Sequence, residues 1–218
     1  MNIYGDVVRN GSFINNGNGS VKFRGNTNQT IGSSDQSAGW SYFGTLAVDK
    51  PLGKLFSYDR LVVNTKLELK SGLIVLQNDD LYVELSTAAL ATDASNLSFV
   101  DGIVRKFAIS PEQSFIFPIG DTTETGHWWH QPVRMFSPQF NDLNATIEAQ
   151  YFAHSHPNAG PYYDGNPYDN RDIGTCDYWR VEKISGINVR LAFKYSNPDP
   201  EYCNIINDPN YLSIARWN

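Results

Sequence analysis

Two consecutive stretches, SYFGTLAVDKPLGKLFSYDRLVV and TKLELKSGLIVLQNDDLYVEL, each place strand, turn, strand, turn and strand within roughly 20 residues. This loose echo constrains the fold more than any other feature. Its strand candidates, with VKF at 21–23 before them, are TLAV at 45–48, KLF at 54–56, TKLEL at 65–69, LIVL at 73–76 and LYVEL at 81–85. They are separated by GN, KPLG, SG and NDD, which are turn residues. No window holds apolar residues at i, i+3, i+4 and i+7 over three turns, and only TAALATDAS could make a single helical turn. The chain therefore reads as all-β.

Short strands at this spacing fit a sandwich or a solenoid, and the echo favours a parallel β-helix, or β-solenoid, over residues 1–120. In TKLELK, Leu67 and Leu69 point to one face while Lys66, Glu68 and Lys70 point to the other. Stacked coils would bury a ladder of Leu, Val, Ile and Phe and pair each strand edge with the next coil. Residues 121–218 have longer strand candidates. ATIEAQYF at 145–152 and INVRLAFKY at 187–195 alternate as half-buried antiparallel strands do. With PVRMF, DYWRVEKI and YLSIARW they suggest a β-sandwich that caps the last coil. The junction at 97–121 then supplies a solenoid strand in SFVDGIVRKF and the exit in FIFPIGD, with Pro118 and Gly120 ending the strand.

Composition excludes several classes. Hydrophobic residues make up 41% and charged residues 18%, too apolar and too weakly charged for disorder. A net charge of −6 with scattered Lys and Arg argues against nucleic acid as a partner. No apolar run reaches the roughly 18 residues of a membrane-spanning helix. The start lacks the regions of a signal peptide, so a secreted origin implies either that one was removed or that the sequence was cut, and Met1 could then be an added residue. The end at YLSIARWN stops just after strand-like alternation, and the natural chain is expected to continue.

Candidate sites concentrate in the second half. Residues 153–176 read as one long loop rich in Pro, Gly, Asn, Asp and Tyr. Trp128 and Trp129 are adjacent, so in a strand one faces outward, where with Tyr162, Tyr163 and Tyr168 it could form a glycan-stacking platform; the competing reading is a packed joint between the two halves. Trp40, Trp179 and Trp217 are assigned to the core. Asp164, Asn166 and Asp169, with Asn170 and Asp172, offer oxygen ligands for a structural Ca²⁺, although their spacing is not that of an EF-hand and turn hydrogen bonding explains them too. Otherwise no cofactor is expected. His127, His130, His154 and His156 form two pairs that could hold a metal, without a carboxylate to complete a recognisable set. Cys176 and Cys203 could close a loop of about 26 residues, or remain separate thiols. Asp79 and Asp80 are adjacent carboxylates between LIVLQN and LYVEL, placed as a coil turn rather than a catalytic pair, and no GxSxG elbow occurs. No residue is assigned a catalytic role. The N-x-S/T sequences at Asn10, Asn18, Asn28, Asn96 and Asn144 read as turn composition.

The ordered series GNGSVKFRGNTNQTIGSS, FGTLAVDKPLGKLF, VVNTKLELKSGLIVLQNDDLYVEL, SFVDGIVRKF and FIFPIGD resembles the repeating passenger region of large Bacteroidota surface proteins exported by the type IX secretion system. In gliding-adhesin-like members a comparable solenoid precedes a segment similar to CDYWRVEKISG and YLSIARWN. The resemblance implies an extracellular, cell-surface module without catalytic apparatus. Its expected partners are surface glycans or other adhesin modules. A carbohydrate-binding module is the alternative, and a polysaccharide-cleaving β-helix enzyme a more distant one.

Overall fold

Backbone amides and carbonyls of an extended strand need partners on both sides, and this chain finds them by winding parallel strands on top of one another. A computed structural model describes residues 1–8, 12–33, 38–107, 114–122, 129–136, 145–154, 156–157, 177–186 and 189–193, with backbone only at 16–18. Among them there is no helix, and TAALATDAS forms a turn and a short strand. The strands are β1 (Asn2–Ile3), β2 (Phe13–Arg24), β3 (Gln29–Ile31), β4 (Trp40–Ser57), β5 (Arg60–Leu76), β6 (Tyr82–Leu85), β7 (Leu90–Thr92), β8 (Val100–Asp101) and β9 (Ile103–Phe107). They are followed by β10 (Ser114–Phe117), β11 (Ile119–Asp121), β12 (Trp129–His130), β13 (Val133–Phe136), β14 (Thr146–Phe152), β15 (Tyr178–Ser185) and β16 (Arg190–Phe193).

The solenoid has about five turns and three faces. The first stacks residues 13–15, 40–43 and 60–63 on β6 and β9. The second stacks β1, residues 20–24, 45–48 and 66–68, and β7. The third stacks Val7, β3, residues 55–57 and 74–76, β8 and β11. Each step advances roughly 20 residues, as from Trp40 to Arg60 and from Tyr82 to Ile103. The expected strands are present, but TLAV with KLF, and TKLEL with LIVL, each run on as one strand, with the β4–β5 register shifting at the corners. Gly72 permits one such corner. Its φ is +78°, and a Cβ there would sit 2.5 Å from the Lys50 carbonyl oxygen of the coil above.

Inside, alternation gives apolar ladders. Val21, Leu46 and Leu67 stack on the second face, and Leu55, Ile74, Val100 and Ile119 on the third; all are buried. Lys66, Glu68 and Lys70 face outward beside the buried Leu67 and Leu69, as their pattern requires. Two ladders take in polar groups near the ends of the solenoid. Gln29 begins the third-face ladder; its amide nitrogen donates to the Ile3 and Gly5 carbonyls at 3.3 and 2.7 Å, and its oxygen accepts from Lys50 Nζ at 2.5 Å. Burial lowers the Lys50 pKa, with Asp6 acting against it. Lys106 stands where the first-face ladder of Phe43, Val63 and Leu85 would place another apolar residue. Its ammonium donates to the carbonyls of Ser86, Thr87 and Ala89 and lies 5.1 Å from the Phe115 ring, and burial pushes its pKa down to about 8.

The C-terminal end of the solenoid is covered by antiparallel strands. β14 pairs with β9 and in turn with β15, while β12 pairs with β11. A separate antiparallel sheet contains β10, β13 and β16. The expected strands PVRMF, ATIEAQYF, DYWRVEKI and INVRLAFKY thus divide between two sheets, and YLSIARW lies outside the described residues. FIFPIGD is not a simple exit. FIF leaves the solenoid to pair with β13, and after Pro118 the chain returns as β11, the last parallel rung on β8. Gly120 lies within that rung, where a Cβ would meet the Trp129 carbonyl oxygen at 2.2 Å. The expected boundary at 120 falls inside β11, and one hydrophobic core runs from Val21 through Ile119 to Tyr151.

Lys106→Met removes the donor from three carbonyls, that of Ala89 buried and those of Ser86 and Thr87 partly so, while keeping the bulk of the side chain. It is expected to lower unfolding free energy in urea by about 2–4 kcal/mol; a change within error of zero would show that the ammonium contributes nothing to this end of the solenoid.

Candidate ligand-facing surface

On the first face, every second residue of 40–43, 60–63, β6 and β9 points away from the core. Trp40 and Tyr42 are two residues apart on one strand, half-buried on the outer side, with ring centroids 6.1 Å apart and planes within 16°. Trp40 stands in register with Arg60, whose neighbour on the next strand at the same level is Tyr82. The Arg60 guanidinium lies 5.5 Å from the Trp40 ring centre and 5.8 Å from that of Tyr82, and it is paired with Asp80 at 3.0 Å. Arg105 covers Tyr82 at 3.7 Å. Aromatic rings and guanidinium groups thus alternate along the axis, about 4.8 Å per rung.

The two arginines differ electrostatically. Arg105 Nε donates to Glu148 Oε1 at 2.6 Å, and Nη1 lies 3.6 Å from Glu84 Oε2. Two half-buried carboxylates therefore neutralise it, and they join the last coil to β14. Burial raises the Glu84 pKa against the opposing pull of Arg105. Burial likewise raises the Tyr82 pKa, with Arg105 acting against it. Among the described residues Arg60 pairs with one carboxylate, Asp80, which is 65% exposed on a turn, and donors of its guanidinium fork are left unused there.

The row continues over β14 and β15. Arg180 donates to Gln150 at 2.8 Å and lies 6.0 Å from the Phe152 ring. Phe152 stacks on Tyr178 at 4.5 Å, and the His154 and His156 rings meet Tyr178 edge-on at 5.7 and 4.8 Å.

Of the residues expected to bind ligand, Trp129 lies in β12, is 7% exposed and belongs to the hydrophobic core. Trp128, Tyr162, Tyr163, Tyr168, Asp164, Asn166, Asp169, Asn170, Asp172, Cys176, Cys203, His127 and Trp217 lie outside the described residues. The His130 ring stacks on Phe99 at 6.3 Å, while His154 and His156 sit on Tyr178. Among the described residues no three His, Cys, Asp or Glu side chains are grouped to hold a metal. Asp79 and Asp80 are exposed turn residues, as expected. Trp179 packs between Tyr151 and Phe193 and donates to the Gln131 carbonyl at 3.1 Å. Trp40, assigned to the core from sequence, belongs instead to the outer row. Its place was signalled by the spacing of Trp40, Arg60 and Tyr82, which follow one another at the length of a coil.

On the third face the fold brings together two carboxylates distant in sequence. Asp101 in β8 accepts from Thr122 Oγ1 at 2.5 Å, and burial, with Asp121 adding to it, pushes its pKa up to about 6. Asp121 is buried and accepts the Ala153 amide at 2.8 Å, tying the end of β14 to the last coil. No protein-family model, curated protein or solved structure matches the chain.

Because the Asp101 pKa is raised on folding, its contribution to stability is present below about pH 4 and is lost as pH rises through about 6. Asp101→Asn is therefore expected to gain on the parent chain by about 2–3 kcal/mol between pH 4 and pH 7 in urea unfolding. Parallel stability curves for the two proteins over that range would contradict this assignment.

Proposed function

We propose that the chain is a non-enzymatic module of a secreted bacterial cell-surface adhesin, with a structural and adhesive role. The observation that carries the adhesive part is the outer row of Trp40, Tyr42, Arg60 and Tyr82. Sugar rings present apolar C–H faces and hydroxyl edges. Aromatic rings beside an arginine with free donors match both, and a rung spacing of about 4.8 Å approaches the length of one pyranose in an extended glycan. With Arg105 neutralised by Glu84 and Glu148, and Arg60 opposed by Asp80, the row suits uncharged glycans better than strongly anionic ones.

The resemblance to gliding-adhesin-like Bacteroidota proteins carried by the type IX system supports an extracellular setting. In this reading residues 121–218 are a β-sandwich-like cap, and the module belongs to a longer chain whose partners are surface glycans or other adhesin modules. The sequence-derived aromatic platform at Trp128, Tyr162, Tyr163 and Tyr168 and the Ca²⁺ loop at Asp164, Asn166 and Asp169 remain part of the proposal, as does a Cys176–Cys203 disulfide. Cleavage of polysaccharide is the second reading, favoured only by the pairing of Asp101 with Asp121.

A glycan array followed by calorimetry separates these readings. The parent chain is expected to bind an uncharged glycan, and Trp40→Ala to weaken it about tenfold or more while the circular-dichroism spectrum is retained. An array with no binder would count against the adhesive reading, and turnover of a bound polysaccharide that disappears in Asp101→Asn would replace it with the enzymatic one.

A further inference from the structure

Among the described residues two lysines are buried, and they are held differently. Lys106 Nζ donates to three backbone carbonyls, as many acceptors as an ammonium has protons. Lys50 is 0% exposed, and among the described residues its ammonium has one hydrogen-bond acceptor, the side-chain oxygen of Gln29 at 2.5 Å. The charged form of Lys50 is therefore supported far less well than that of Lys106.

The acceptor is itself fixed in orientation. Gln29 is buried, and its amide nitrogen donates to the Ile3 and Gly5 carbonyls, which can only accept, so the atom turned to Lys50 must be the oxygen. With a C=O bond of about 1.2 Å, the carbonyl carbon stands no more than about 3.7 Å from Nζ, against roughly 3–3.5 Å for reacting atoms in a near-attack geometry. A carboxylate is at hand. Asp6 is the charged group that acts on Lys50, and it accepts the amide of Thr30, next to Gln29, at 2.8 Å. Burial favours the neutral amine at Lys50, with Asp6 opposing it. A desolvated neutral amine beside a carbonyl carbon is a nucleophile.

We infer that Lys50 and Gln29 form an intramolecular isopeptide bond that staples two successive coils. Nζ attacks Cδ of Gln29; the Nζ–Cδ bond forms, the Cδ–Nε2 bond breaks, and its electron pair leaves on nitrogen. Asp6 takes a proton from Nζ and returns one to Nε2, which departs as ammonia. One amine and one primary amide thus become one secondary amide and one ammonia, without an oxidant or a second substrate. Gln29 begins β3, which stacks on residues 55–57 of the next coil, and Lys50 lies in β4 of that next coil. The bond closes residues 30–49 into a covalent loop, so a pull on the chain cannot unwind that coil.

Mass spectrometry of the full folded chain tests this. The intact protein is expected to weigh about 17 Da less than its sequence, the mass of one ammonia. Trypsin leaves both residues in one peptide, 25–54, because Lys50 precedes Pro51. That peptide should carry the loss and give no fragment ions from single backbone cleavages between residues 29 and 50. Loss of ammonia at Asn26 or Asn28 would instead leave the fragment series complete. Lys50→Arg keeps the cation but lacks the amine, and should show its full mass with an unchanged circular-dichroism spectrum. Asp6→Asn keeps an acceptor for the Thr30 amide without a carboxylate to carry the proton. Its linked fraction, at matched times after synthesis, should fall about tenfold or more. A parent chain at full mass, a complete fragment series across residues 30–49, or an ammonia loss that persists in Lys50→Arg would overturn the bond. A linked fraction in Asp6→Asn equal to the parent's would overturn the assigned proton transfer.

Discussion

Hydrogen bonding between successive parallel coils is the interaction on which the rest of this structure depends. Each strand of β4 and β5 has a partner above and below, and such stacking leaves unpaired strands only at the two ends. What the chain does at its first and last coils therefore decides what the solenoid can do. At the last coil, the direction of the chain reverses. β14 runs antiparallel to β9, and β12 antiparallel to β11, so the closing strands cannot themselves propagate the coil.

The interior repeats this logic. Between the ends, ladder positions are mostly aliphatic or aromatic, with small buried serines at 41 and 57. Toward the ends polar side chains enter: Gln29 at the top of the third face and Lys106 near the bottom of the first, between Leu85 and Ile147. Each donates to backbone carbonyls of a turning segment, in residues 3–5 and 86–89 respectively. A desolvated ammonium is costly unless its donors are used, and Lys106 uses them on the segment that β10 overlies through Phe115.

Much of the solenoid was legible because period-two alternation and a coil-length echo are local properties of the sequence. Leu67 and Leu69 against Lys66, Glu68 and Lys70 could be assigned to faces directly, and so could Ala145, Ile147, Ala149 and Tyr151. The excursion of Phe115 and Phe117 was not legible, since an apolar FIF fits an antiparallel pair as well as a parallel rung, and only β13 decides between them. Nor was the site. Trp40 looks like a core residue because large aromatics usually are, and its exposure follows from register: Ser41 and Phe43 turn inward, leaving Trp40 and Tyr42 outside. Asp101 and Asp121 approach each other through the stacking of β8 and β11, a relation absent from any local motif.

The outer row shows how a sheet face can be stable at one end and receptive at the other. Around Arg105 the charges are closed: two carboxylates and the face of Tyr82 occupy the guanidinium, and the group joins the solenoid to β14. Removing any member would strand the others in a half-buried setting, so that end serves cohesion. Around Arg60 the pairing is looser, because its partner Asp80 is on an exposed turn rather than on a strand. An exposed ion pair of this kind adds little to stability, so its donors can be lent to a ligand at little cost to the fold. The difference between the two arginines lies in their distance from the closing strand rather than in their own chemistry. The same closure that ends the solenoid thereby sets which of the two arginines is held by carboxylates on strands.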